Sequence, residues 1–94
     1  IHQGFYLPQN YPGTGCDGLD GELRPILERL DPEVDLVVSG HTHNAYICDY
    51  GSVNPARPFL VTSAGRYGTL VTEIDLAVEI MDASLRAVRE PAAA

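Results

Sequence analysis

Ninety-four residues allow one domain at most, or a part of a larger one. An apolar share of 45% is ordinary for a globular protein and excludes disorder throughout, while no apolar run reaches the roughly 18 residues needed to cross a bilayer. Six basic residues against thirteen acidic leave a net charge of −7, which argues against binding a nucleic-acid polymer, where Lys and Arg must displace counterions from phosphates.

The chain opens at Ile1 without a methionine and carries a candidate functional histidine at position 2, so it reads as a piece of something longer. Residues 4–18, "GFYLPQNYPGTGCDG", hold two prolines and four glycines. Such a backbone turns repeatedly, and a connection of that length is often functional. Phe5, Tyr6 and Tyr11 are expected to anchor this loop. A helix follows: Asp20 is a candidate cap, and Leu23, Ile26, Leu27 and Leu30 fall on one apolar stripe. Pro25 sits in or just after the first turn, where a missing N–H costs least. The "DP" at 31–32 should stop the helix near Leu30.

"VDLVVSG" is nearly all apolar and β-branched, as in a strand covered on both faces of a parallel sheet. "NAYICDYG" and "RPFLVTSAG" read as further strands separated by the turn "GSVNPA". In "GTLVTEIDLAVEI", Leu70, Thr72, Ile74, Leu76 and Val78 alternate with Val71, Glu73, Asp75, Ala77 and Glu79, the pattern of a half-buried strand. "MDAS" can turn and "LRAVRE" can pair back as a last strand, with a helix over 82–90 as the rival; "PAAA" reads as a frayed tail. A helix feeding a buried strand is half of a βαβ unit whose first strand would end at about Ile1. The expected class is α/β, one main helix followed by several strands.

In an extended segment residues i and i+2 project to the same side, so His41 and His43 can enter one crevice while Thr42 faces away. The pair lies just past the C-terminal end of a strand, the edge where open α/β sheets bind ligands, and His2 would lie at the same edge. Neutral imidazole is a common ligand for zinc, manganese and iron. Thr42 and Asn44 read as solvent-facing turn residues. Arg66, in "TSAGRYG", is a candidate phosphate contact, with a surface arginine at a turn as the simpler reading. Asp17, Asp20 and Asp35 read as turn and capping residues. Cys16 and Cys48 lack CxxC spacing; a disulfide and two unrelated thiols both remain open.

"IHQG" and "SGHTH" together resemble the closing motifs of the calcineurin-like metallophosphoesterases: an isolated histidine after one strand, then Gly-His-x-His after the next. "LDPEVDLVVSGHTHNAYIC" followed by "RPFLVTSAGRYGTLVTEIDL" is similar to the end of the catalytic domain in one branch, the 5'-nucleotidase family, which includes 2',3'-cyclic phosphodiesterases. The resemblance covers roughly residues 1–80. It implies that residues 1–94 are the C-terminal portion of a catalytic domain built as an α/β/β/α sandwich. It also implies a dinuclear centre of two divalent ions such as zinc or manganese, with His2 and His41 on one ion and His43 on the other. The substrate would be a nucleotide or another phosphoester. Secreted bacterial members carry cysteines in similar places, so the resemblance favours a Cys16–Cys48 disulfide and a secreted, periplasmic or cell-surface location.

The family's earlier motifs, Asp-x-His, Gly-Asp-x-x-Asp and Gly-Asn-His-Glu or -Asp, occur nowhere in this sequence. No catalytic acid or base is therefore assigned within it, and the isolated chain is expected to bind metal weakly or not at all and to be inactive. The contrasting expectation is a small binding module in which the three histidines hold one structural zinc, which would need a fourth ligand. A cut sheet edge would make the fragment prone to self-association.

Overall fold

A computed structural model describes residues 1–78 and 83–91 of the chain, with side chains described through Leu76. The long N-terminal loop is closed on itself. Tyr6 and Asp20 exchange backbone hydrogen bonds of 2.6 and 3.2 Å, and the Tyr11 hydroxyl donates to Gly15 O at 2.7 Å. Phe5 is buried and Tyr11 packs on the core, as expected of anchors. Tyr6 is exposed and anchors through its backbone instead.

Helix α1 spans Leu23–Leu27, much shorter than the stripe suggested. Asp20 does not cap it: its carboxylate accepts from Gly21 N, and the residue before the helix, Glu22, makes no side-chain cap. Beyond Leu27 the hydrogen bonds tighten to Arg29 N→Ile26 O and Leu30 N→Leu27 O, so the last apolar residue of the stripe sits in tight turns. A helix of this length is held by tertiary packing, and Leu23 and Leu27 are fully buried.

Strand β1 is Leu36–Val38, β2 is Ala45–Asp49 and β3 is Leu60–Ala64, with a single 3-10 turn at Tyr50–Ser52 after β2. They form one mixed sheet in the order β1-β3-β2, β1 parallel and β2 antiparallel to β3. Val37, Val61 and Cys48 lie in one row of the register and point into the core with Phe5, Leu19, Leu23, Leu27, Tyr46, Tyr50 and Phe59. Tyr50 and Phe59 stack with ring centroids 5.4 Å apart. The expectation that β1 is covered on both faces is corrected. Val38, on the opposite face, is 57% exposed, because the loop and helix cover one side of the sheet.

Strand β4, Leu70–Val78, pairs antiparallel with β5, Ala83–Pro91, from Leu70↔Pro91 to Val78↔Ala83. The strand reading of 85–90 therefore holds over its helical rival, and Ala83 and Ser84, expected in the turn, and Pro91, expected in the tail, belong to the strand as well. Residues 79–82 and 92–94, on which the rest of the turn and tail readings falls, lie outside the described residues. Leu70, Thr72 and Ile74 are partly buried and alternate with exposed Val71, Glu73 and Asp75, as expected. Leu76 breaks the pattern at 63% exposed. The burial of Ala77, Val78 and Glu79 lies outside the described residues. One short helix with a mixed three-stranded sheet and a further strand pair makes this a mixed α/β chain.

Cys16 and Cys48 form a disulfide, with Cα atoms 4.9 Å apart. It fastens the N-terminal loop to β2 from inside the core. Among the described residues no helix is long and apolar enough to cross a membrane.

Candidate metal centre

The sheet brings the three histidines to one edge. β1 and β3 are parallel, so both end there, and β2 begins there because it runs the other way. His41 and His43 lie in the segment between β1 and β2. His2 arrives differently. Ile1 N donates to Val38 O at 2.8 Å and Gly40 N donates to Gln3 O at 3.2 Å. Residues 1–3 thus advance beside 38–40 in the same direction. Ser39 N donates to Thr62 O instead, so the N-terminal segment and β3 lie on opposite sides of the β1 end.

That placement brings His41 Nδ1 within 2.9 Å of His2 Nε2, with ring centroids 4.7 Å apart and the ring planes at 68°. One nitrogen donates and the other accepts, the tautomer deciding which. Both rings are exposed. Two nitrogens this close, each about 2.05 Å from one ion, would subtend about 90° at it, the angle between adjacent ligands of an octahedral metal. In the hydrogen bond one nitrogen carries the proton and the other spends its lone pair on it, so binding one ion together would require loss of that proton and a turn of both rings.

His43 stands apart from that contact. Its ring lies against Tyr67, centroids 6.0 Å apart, and the Arg66 guanidinium lies 5.2 Å from the centre of the Tyr67 ring. Tyr67 is 82% exposed, on a turn closed by Thr69 N and Thr69 Oγ1, both donating to Arg66 O. The β2–β3 register puts this turn beside the histidine loop, since Ala45 pairs with Ala64. Arg66 is an exposed arginine at a turn. Among the described residues no group of three or more His, Cys, Asp and Glu is placed to hold one ion.

The reason given by extended-chain alternation is corrected. His41 and His43 have φ of 69° and 61°, in the left-handed region, so the segment bends at each histidine and does not run as a strand. Thr42 between them turns inward: its hydroxyl donates to Phe5 O at 2.7 Å, and Asn44 Nδ2 donates to the same oxygen at 3.3 Å. Neither residue is the solvent-facing turn residue expected; both are half-buried ties to the N-terminal segment.

Sequence reasoning passed over Tyr46. Its hydroxyl accepts from Phe5 N at 3.1 Å and lies 2.5 Å from Ser39 Oγ. Gly4 carries a signal that was also missed. A Cβ there would overlap Gly40 O, so the His2 segment can approach the His41 loop this closely only with glycine. No protein-family model, curated protein or solved structure matches the chain.

Proposed function

We propose that this chain is the C-terminal part of the catalytic domain of a metal-dependent phosphoester hydrolase of the 5'-nucleotidase type. His2 and His41 would supply neighbouring ligands to one divalent ion and His43 a ligand to a second, with zinc or manganese as the metal class. The 2.9 Å approach of His2 to His41 across 39 residues of sequence carries this reading. The resembling motifs assign those two residues to one ion and His43 to another, and the geometry supports that division.

When bound, a pair of divalent ions supplies an activated water and neutralises phosphoryl oxygens. The chain's own contribution is placement. The sheet edge brings two imidazole nitrogens within hydrogen-bond distance of each other, and the Thr42 and Asn44 bonds to Phe5 hold the loop that carries His41 and His43. The substrate would be a nucleotide or a related phosphoester. The bridging carboxylate and remaining ligands would come from other parts of a longer protein, whose α/β/β/α sandwich this mixed sheet would complete. The disulfide suits an oxidising compartment, and we place the protein outside the cytoplasm on that ground.

A single closed zinc site is the weaker reading. It needs four ligands, and among the described residues no third donor joins the His2–His41 pair. The test is the coding sequence upstream of Ile1, followed by assay of the encoded protein. Asp-x-His, Gly-Asp-x-x-Asp and Gly-Asn-His motifs there, with metal-dependent phosphoester hydrolysis abolished in His41→Ala, are the expected result. A start codon at this point, or robust His41-dependent hydrolysis by the 94-residue chain itself, would overturn the proposal.

A further inference from the structure

Tyr46 enters β2 fully buried, and its ring packs edge-on to Phe5 with centroids 5.5 Å apart. Its hydroxyl belongs to a chain of hydrogen bonds in which each proton is used once. Ser39 Oγ donates to Thr62 O at 2.9 Å, which commits the serine proton. Tyr46 therefore donates to Ser39 Oγ, and its oxygen accepts the Phe5 N–H. The sequence Phe5 N–H, Tyr46 hydroxyl, Ser39 hydroxyl, Thr62 carbonyl runs from the N-terminal segment through the histidine loop to the central strand. Phe5 lies three residues after His2 and Ser39 two before His41.

We infer that Tyr46 is a positioning residue for the candidate metal centre, its hydroxyl holding the His2 and His41 segments so that the two rings meet. The inference takes the histidines' purpose from the reading above, but their placement from the geometry alone. The hydroxyl, more than the ring, does the holding. A phenylalanine keeps the contact with Phe5 but leaves the buried Phe5 N–H without an acceptor, and a buried unpaired donor is costly. The segment must then shift to find water, and it carries His2 with it. The remaining ties are less enclosed: Thr42 and Asn44 are only half-buried, Ile1 N→Val38 O at 2.8 Å is exposed, and Gly40 N→Gln3 O is long at 3.2 Å.

The test uses the metal-free 94-residue chain and reads two NMR quantities. One is the cross-relaxation between the His2 and His41 ring protons; the other is hydrogen exchange at the Phe5 amide. In Tyr46→Phe the His2–His41 cross-peak is lost and Phe5 exchange accelerates by about tenfold, while the spectrum stays dispersed. Leu27→Ala, a core truncation in α1, lowers stability but keeps the cross-peak, which separates positioning from general weakening. A folded Tyr46→Phe with the wild-type cross-peak and exchange overturns the inference. Should Tyr46→Phe not fold, Ser39→Ala decides: a weakened cross-peak with faster Phe5 exchange supports the inference, and wild-type values overturn it. Because no metal is present, the outcome is independent of the hydrolase reading: tight binding of a single zinc by the wild-type chain would count against that reading and leave this inference standing.

Discussion

Two histidines in the left-handed region are uncommon for residues with a Cβ, and such strain gathers where function over-determines the backbone. Here Thr42, between them, is tied by its hydroxyl to Phe5 O and by its N–H to Gly40 O at 2.8 Å. Gly4 makes the approach possible from the other side. Gly4→Ala puts a methyl group into Gly40 O and is expected to lower stability by about 1–3 kcal/mol in denaturant melts and to separate His2 from His41. Tyr50 gives an opposite case. Its buried hydroxyl meets no hydrogen-bond partner at full bonding distance among the described residues, though Glu28 and Arg24 lie near it, so Tyr50→Phe is expected to leave stability within about 1 kcal/mol of the wild type. Burial, helped by the Glu28 charge, pushes the Tyr50 phenol above its ordinary value of 10.0. The folded state then holds the phenolic proton more tightly than the unfolded chain does. This contribution to stability is complete below pH 10 and falls as pH rises beyond it, and Tyr50→Phe should flatten that decline. The histidines stand out in the sequence by motif and spacing, and the structure brings His2 and His41 into contact while His43 lies against Tyr67. Tyr46 does not stand out, because nothing in "NAYIC" reveals a hydroxyl aimed at residue 5.

Strands β2 and β3 were legible from the turn residues between them, and β4 from its alternation. Helix α1 was read too long, since an apolar stripe records which residues are buried and not whether the backbone between them is helical. Leu30 packs on the core from a tight turn as well as it would from a helix. The same limit applies to β1, whose apolar run was read as doubly covered although Val38 faces outward. Packing holds these short elements. Leu27→Ala in α1 is expected to cost roughly 2–5 kcal/mol, measured by chemical denaturation. The disulfide ties the loop to β2 across 32 residues of sequence, and chain-entropy arguments give about 3–4 kcal/mol for a loop of that length. Replacing both cysteines with serine should lower stability by about that much, without disturbing the strand pairings of β1 and β3.

The whole molecule is arranged around one end of one sheet. Parallel β1 and β3 finish there, β2 starts there, and the N-terminal segment is stitched alongside, so residues distant in sequence share an edge where ligands bind in open α/β sheets. What extended-chain alternation could not supply was where the rings turn: φ at His41 and His43 sends one ring to His2 and the other to Tyr67, in line with the division that the resembling motifs imply. That division is the central claim, and one titration addresses it directly. Zinc is added to the chain while the ring resonances of all three histidines are followed by NMR, in the wild type and in His2→Ala, His41→Ala and His43→Ala. The His2 and His41 rings should respond together and weakly, with the response abolished in either of their variants and preserved in His43→Ala. Tight binding of one zinc that moves all three rings at once, and is lost equally in all three variants, would contradict it.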